Sequence, residues 1–269
     1  MKVFFFLIIF LLLSSFVSVA SWAHEHEVFG LGLDDRISQW SFIIVLIASI
    51  AIAGLTAVSL MWKRPKEKVK KVLFLSIAGI TLLATLFLAI STIYLNAVSS
   101  SGGPVHWHAD IEIWNCGEEL TLRDPEGLSN KIGTSTLHEH NDKRIHLEGV
   151  VVKPPDASLG KFFYVIGGHL SSQELRVPTN TGIVAKKTGD TCPNGDSGEV
   201  QVFAYRTVNG KYSQQKLADP ADFIIAPSSS VPGGDCIIVE FDKSKDKTDK
   251  LCRSYKVAEK LGKIKRSTQ

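Results

Sequence analysis

The chain has 269 residues, of which 45% are apolar, and a formal net charge of +3. So small a charge, dispersed through the sequence, argues against nucleic acid as a partner. The long apolar runs all lie before Val98, which predicts a membrane-anchored N-terminal part and a soluble C-terminal part of about 170 residues, large enough to bury a core.

The first 23 residues have the composition of a secretory signal peptide, either cleaved or retained as a signal anchor. Residues 1–23 contain Lys2, then a long apolar run, then small residues before Ala20 and Ala23 that satisfy the small-x-small cleavage rule. A short extracytoplasmic segment is predicted to follow, over residues 24–39.

Two transmembrane helices are predicted next, over residues 40–62 and 72–98. Both apolar runs are long enough to cross the hydrocarbon core of a bilayer. Trp40 and Trp62 bracket the first run, as expected when aromatic rings lie at the two membrane interfaces. The lipid bilayer is therefore a predicted partner, and other membrane proteins are further candidates.

The loop between the two helices, residues 63–71, predicts their orientation. Six of its nine residues are Lys or Arg, and short basic loops stay on the cytoplasmic side. Residues 24–39 contain a single basic residue, Arg36, and are predicted to lie outside. The pattern predicts a multi-pass protein of the cell membrane whose C-terminal domain also lies outside the cytoplasm.

A β-rich domain is predicted over residues 105–242, after a flexible serine- and glycine-rich linker at residues 99–104. Apolar and polar residues alternate from Val105 to Trp114, which predicts a strand with one face packed on a core. The predicted fold class is a mainly β extracytoplasmic domain, sandwich or barrel-like, preceded by a signal peptide and two transmembrane helices. Residues 243–269 are lysine-rich and are predicted to form a solvated basic tail containing a short helix.

All four cysteines lie in the C-terminal part. They are Cys116, Cys192, Cys236 and Cys252. An even number of cysteines in a domain predicted to lie outside the cytoplasm favours two disulfides, and the sequence leaves three pairings open. A zinc site of four thiolates is disfavoured because the sequence has no Cys-x-x-Cys pair.

Five of the eight histidines lie within residues 106–146. Side chains two residues apart on a strand share a face and lie about 6 to 7 Å apart, so His106 and His108 can reach one ion, with Asp110 next along the row. The predicted metal ligands are His106, His108, Asp110, His138, His140 and His146. A shell of neutral imidazoles favours copper or zinc. His169 is a weaker candidate, and the alternative interpretation is a solvated histidine-rich surface.

Three kinds of function fit this pattern. The first is a membrane-tethered metal-binding protein for copper or zinc, acting in binding, delivery or sensing. The second is a metal-dependent enzyme of cupin-like or hydrolytic type, in which Glu112, Glu139 or Glu148 acts as base for a metal-bound water. The third is a metal-free adhesion or assembly module. Serine hydrolase and nucleotide chemistry are not supported, because the sequence has neither a Gly-x-Ser-x-Gly elbow nor a phosphate-binding loop.

The histidine array also resembles that of a known group of sequences. The motifs H-W-H-A-D, H-E-H-N-D, I-H-L-E-G and L-G-K-F-F, between Val105 and Phe163, are similar to those of an uncharacterised family of membrane-anchored extracytoplasmic proteins of archaea and uncultivated bacteria. The resemblance implies no established activity. It favours the interpretation that the histidines form one functional unit.

Overall fold

The computed structural model describes residues 30–126, 128, 130–230 and 234–267. The predicted signal peptide, residues 1–23, and the beginning of the segment that follows it lie outside the described residues.

Two long apolar helices come first, α1 (Leu33–Met61) and α2 (Glu67–Val98). Both have the length and composition of membrane-spanning helices, as predicted for residues 40–62 and 72–98. Their large apolar side chains are exposed along their length, for example Leu60 and Leu83. A helix that is apolar all round and not covered by protein fits contact with lipid.

The C-terminal domain is built on a mixed sheet of nine strands and a smaller sheet of three. The strands are β1 (Pro104–Asn115), β2 (Glu118–Leu120), β3 (Ile132–Gly133), β4 (Leu137–Glu139), β5 (Arg144–Val150), β6 (His169–Leu170), β7 (Glu174–Thr179), β8 (Gly182–Lys187), β9 (Glu199–Val208), β10 (Lys211–Lys216), β11 (Asp235–Asp242) and β12 (Lys265–Arg266). Two further helices are α3 (Leu159–Val165) and α4 (Arg253–Lys260), and single 3-10 turns occur at Pro154–Ala157 and Pro220–Asp222.

The order of strands in the large sheet is β12-β10-β9-β11-β1-β5-β4-β3, with β2 paired to β1, and β6, β7 and β8 form the small sheet. Two pairs are parallel, β1 with β11 and β10 with β12, and the other pairs are antiparallel. Among the described residues the end strands β12 and β3 do not pair with each other, so the large sheet is not a closed barrel. The prediction of a β-rich domain is confirmed, and its barrel-like alternative is wrong.

The large sheet buries both of its faces, which removes the need to close on itself. One face packs on a core that includes Ala109 and Ile111 of β1. The opposite face packs on a second core around Phe203, Tyr205 and Tyr255, the last contributed by α4. The alternation predicted for β1 is therefore present, but part of its polar face is covered as well.

The C-terminal segment packs on the sheet, which differs from the solvated tail predicted for residues 243–269. Tyr255 and Ala258 of α4 are buried in the second core, together with Leu251 and Ile264. The physical reason is the helical spacing of Tyr255 and Ala258, which places both on the side of α4 that faces the sheet.

The four cysteines form two disulfides, Cys116–Cys192 and Cys236–Cys252. The second one joins β11 to the residue that precedes α4, and the described residues contain no free cysteine. Two disulfides are expected of a domain in an oxidising compartment.

The domain is held close to the ends of the two long helices. The backbone N–H groups of Ser100 and Ser101, in the linker predicted to be flexible, donate hydrogen bonds to the carbonyl oxygens of Val152 and Val151, at 3.1 and 3.3 Å. Asp34 and Asp35, in the first turn of α1, are buried. The linker is therefore tied to the domain, and the start of α1 is covered by protein.

Candidate metal centre

Two neighbouring strands, β1 and β5, bring the candidate centre together. In their antiparallel pairing His108 lies opposite His146, and His106 lies opposite Glu148. Residues two apart on a strand share a face, and residues directly opposite across a pair share it too. The four side chains are therefore the four corners of one box on one face of the sheet.

Three corners of this box form a group that can hold a metal ion. His106, His108 and His146 each offer a ligand atom, and the three atoms lie within 4.8 Å of one another. The Nε2 atoms of His106 and His108 are 2.9 Å apart. Two nitrogens bound to one tetrahedral zinc ion are about 3.3 Å apart, so small side-chain rotations bring the three rings to one ion.

A third strand adds His138 to the same row. His138 of β4 lies opposite His146, and their rings stack with centroids 5.6 Å apart. The strand on its other side, β3, approaches closely because Gly133, opposite His138, has a φ of 111° and no side chain. A Cβ at Gly133 would lie 2.5 Å from the Leu137 carbonyl oxygen. His138 is 1% exposed as a result of these neighbours.

His138 and His140 lie beside the group of three histidines. The His140 ring is 4.8 Å from the ring of His138 and 4.9 Å from that of His146, measured between centroids. Its Nδ1 is 2.5 Å from the carbonyl oxygen of Asn130. The five clustered histidines are thus brought together as the spacing suggested, and the roles of His138 and His140 as ligands stay predictions.

Asp110, also predicted as a ligand, is held by other protein groups. Its Oδ1 accepts a 2.8 Å hydrogen bond from Nε of Arg144, the residue opposite it on β5, and its Oδ2 accepts one from the hydroxyl of Ser254. A role of Asp110 at a metal ion remains a prediction, and it requires exchange of these contacts. His169 lies on β6 in the small sheet.

Glu112 and Glu139, two of the carboxylates predicted as possible bases, are bound to backbone amides. Oε1 of Glu112 accepts a 2.9 Å hydrogen bond from the backbone N–H of Arg253, and burial raises the pKa of this carboxyl. Oε1 of Glu139 accepts hydrogen bonds from the N–H groups of Asp142 and Lys143, at 2.7 and 3.1 Å, and burial raises its pKa as well. Both carboxylates therefore accept hydrogen bonds from the backbone of the domain itself.

Glu148, the third of these carboxylates, lies among the histidines. Its Oε1 is 3.2 Å from Nε2 of His106 and 4.0 Å from Nδ1 of His146. Its Oε2 is 3.8 Å from Nε2 of His138. Sequence reasoning named Glu148 only as a possible base, although the alternation of His146 and Glu148 on one strand already placed both on one face.

The buried histidines are held in the neutral form that binds metals. Burial, followed by the neighbouring His146 and His106, lowers the pKa of His108. Burial is also the main cause that lowers the pKa of His138 to about 4. In the part of the chain that the structure describes, Nδ1 of His138 and Nδ1 of His146 are buried and have no hydrogen-bond partner. These nitrogens keep lone pairs or protons that nothing in the described fold satisfies.

Asp142 orients one of the three histidines, a role that sequence reasoning missed. The Oδ2 atom of Asp142 is 3.1 Å from Nε2 of His146, and the pair is four residues apart. With Nε2 donating to this carboxylate, Nδ1 is the nitrogen that remains for an ion. The sequence does have an aspartate four residues before His146. Only the turn before β5, however, brings the two side chains together.

Comparisons with known proteins add no assignment. No protein-family model, no curated protein and no solved structure matches the chain. The resemblance to the archaeal and bacterial membrane-anchored family therefore stays a prediction, and a function has to be argued from the geometry of the histidines.

Proposed function

We propose that this chain is a membrane-tethered extracytoplasmic metal-binding protein that uses His106, His108 and His146 to bind one divalent ion, zinc or copper. Its role is metal binding, delivery or sensing. The observation that carries the proposal is the meeting of three ring nitrogens from two strands within 4.8 Å.

A solvated histidine surface does not account for the burial of His108 and His138. His108 is 8% exposed and His138 is 1% exposed. Burying polar ring nitrogens that have no partner costs free energy, about 1 to 3 kcal/mol for each group. A bound ion offsets that cost for the nitrogens that ligate it, whereas solvation offsets nothing at a buried position.

The location follows from the remainder of the chain. Two apolar helices fit a membrane anchor, and two disulfides fit an oxidising compartment outside the cytoplasm. We assign the basic loop, residues 63–71, to the cytoplasmic side, which places the histidines outside. A signal peptide over residues 1–23 is part of the same proposal.

The test is metal analysis of the full-length protein purified in detergent. We expect about one zinc ion per chain after dialysis against buffered zinc. The variant His106→Ala/His108→Ala removes two of the three ligands and should lose that ion. His169→Ala, which changes a histidine on the small sheet, serves as the matched control and should keep it. Equal metal content in the double variant and the control would rule out this site.

A further inference from the structure

Glu148 occupies the fourth corner of the box whose other three corners are His106, His108 and His146. The geometry points to Glu148 as the fourth ligand, which makes the centre a closed four-coordinate site of three imidazoles and one carboxylate, suited to a divalent ion. This inference rests on the proposed metal-binding function and specifies its ligand set.

Two distances place the carboxylate beside the group of three histidines. Oε1 of Glu148 is 3.2 Å from Nε2 of His106, near the spacing of about 3.3 Å between donors on one tetrahedral ion. It is 4.0 Å from Nδ1 of His146, so the side chain has to move towards the ion to complete the ligand set. The side chain of Glu148 is 40% exposed and joined to the backbone through rotatable bonds, so it can adjust to an ion.

The charges around Glu148 favour a cation at this position. Among the described residues, the ion-pair partners found for Glu148 are all histidines: His106, His138 and His146. No Lys or Arg among the described residues pairs with this carboxylate. A divalent ion bound by three neutral imidazoles keeps its full charge of 2+, and the carboxylate of Glu148 reduces the net charge of the centre to 1+.

His138 lies beside this carboxylate. Its Nε2 is 3.8 Å from Oε2 of Glu148, which is too long for a hydrogen bond, so His138 does not by itself fix the orientation of the carboxylate.

The ligand set also predicts which ions are favoured. Monovalent copper prefers the soft sulfur of thiolates and thioethers. All four cysteines are in disulfides, and the chain has only two methionines, Met1 and Met61, both before the domain begins. Imidazole and carboxylate donors suit zinc and other divalent transition-metal ions, so the centre should prefer these to monovalent copper.

Four protein ligands also favour binding over hydrolysis. Structural zinc sites have four protein ligands, whereas catalytic zinc sites have three and leave a position for water. With Glu148 bound to the ion, it is a ligand and is not free to act as a base. This ligand set supports a role in metal binding, delivery or sensing.

The test compares Glu148→Gln and Glu148→Ala with wild type in the full-length protein. The matched control is Glu174→Gln, which changes a carboxylate that pairs with Arg176 on the small sheet. Zinc affinity is measured by competition with a chromophoric chelator, and coordination is measured from the visible absorption of the cobalt(II) form at saturation. Tetrahedral cobalt(II) absorbs strongly, whereas five- and six-coordinate cobalt(II) absorbs weakly.

We expect both Glu148 variants to bind zinc at least about tenfold more weakly and to show a cobalt band changed in wavelength or intensity, because water or an amide oxygen replaces the carboxylate, while the control matches wild type. The cobalt band is read with every centre filled, so it separates a lost ligand from a general loss of stability. A wild-type cobalt band in either Glu148 variant would overturn the assignment. Failure of the wild-type protein to bind zinc or cobalt would instead refute the proposed function.

Discussion

The disulfide between Cys236 and Cys252 fastens α4 to the large sheet, and its removal measures how much this cross-link stabilises the domain. It closes a loop of 16 residues, whereas the Cys116–Cys192 disulfide closes one of 76. In the chain-entropy model a cross-link stabilises by restricting the unfolded chain, and the longer loop contributes more.

The expected losses can be worked from these two loop lengths. For 16 residues the model gives about 3 kcal/mol at 25 °C, and for 76 residues it gives about 4.5 kcal/mol. A domain of this size loses about 2 to 4 °C in melting temperature for each kcal/mol. Cys236→Ala/Cys252→Ala should therefore melt about 6 to 12 °C below wild type, and Cys116→Ala/Cys192→Ala should melt lower still.

The ranking of these melting temperatures is tested by heating the full-length protein and monitoring its unfolding through tryptophan fluorescence. Trp114 is a suitable reporter because it packs against the second core and lies 4.5 Å from the ammonium of Lys250. Zinc content at 25 °C should be unchanged in the Cys236→Ala/Cys252→Ala variant, since the histidines lie on other strands than the cross-link. A wild-type melting temperature in that variant, or a lower one than in the other double variant, would refute the reasoning.

Three further predictions concern the residues around the metal centre. Leu147→Ala, at a fully buried position, should lower the free energy of unfolding by about 2 to 5 kcal/mol in a urea titration, and a loss below 1 kcal/mol would contradict the packing. Asp142→Ala removes the acceptor that orients His146 and should weaken zinc binding about tenfold in chelator competition; unchanged affinity would show that Asp142 has no such role. Burial holds the pKa of His138 at about 4 in the fold, below the ordinary histidine value of about 6.5, so only the unfolded chain binds a proton between these values. The stability of the metal-free protein should therefore fall by about 3 kcal/mol as pH is lowered from 6.5 to 4 and then level off for this group, and urea titrations of His138→Gln should lack that decrease.

The two long apolar helices and the shared face of His106 and His108 could be predicted because their signals are local. A run such as 72–98 is apolar enough to span a bilayer whatever surrounds it. Likewise, the alternation from Val105 to Trp114 places His106 and His108 on one face of any extended strand. Neither conclusion depends on how the helices and strands are arranged in the tertiary structure.

The open sheet and the packed C-terminal segment depended on neighbours that the sequence pattern does not reveal. The one-sided alternation in β1 gave no indication that another element would cover Asp110 and Glu112. In the structure α4 and the residue before it cover them, because Cys252 is bonded to Cys236 on the strand that pairs in parallel with β1. A contact between residues so far apart in sequence carries no local signal.

The meeting of the histidines in one cluster was decided by strand register. The sequence by itself determined that His106 and His108 share a face and that His146 and Glu148 share a face. Only the tertiary structure decided that these two faces coincide, with His108 opposite His146 and His106 opposite Glu148. The physical reason is the two-residue period of a strand, since a shift of one residue in the pairing would turn His146 and Glu148 to the other side of the sheet.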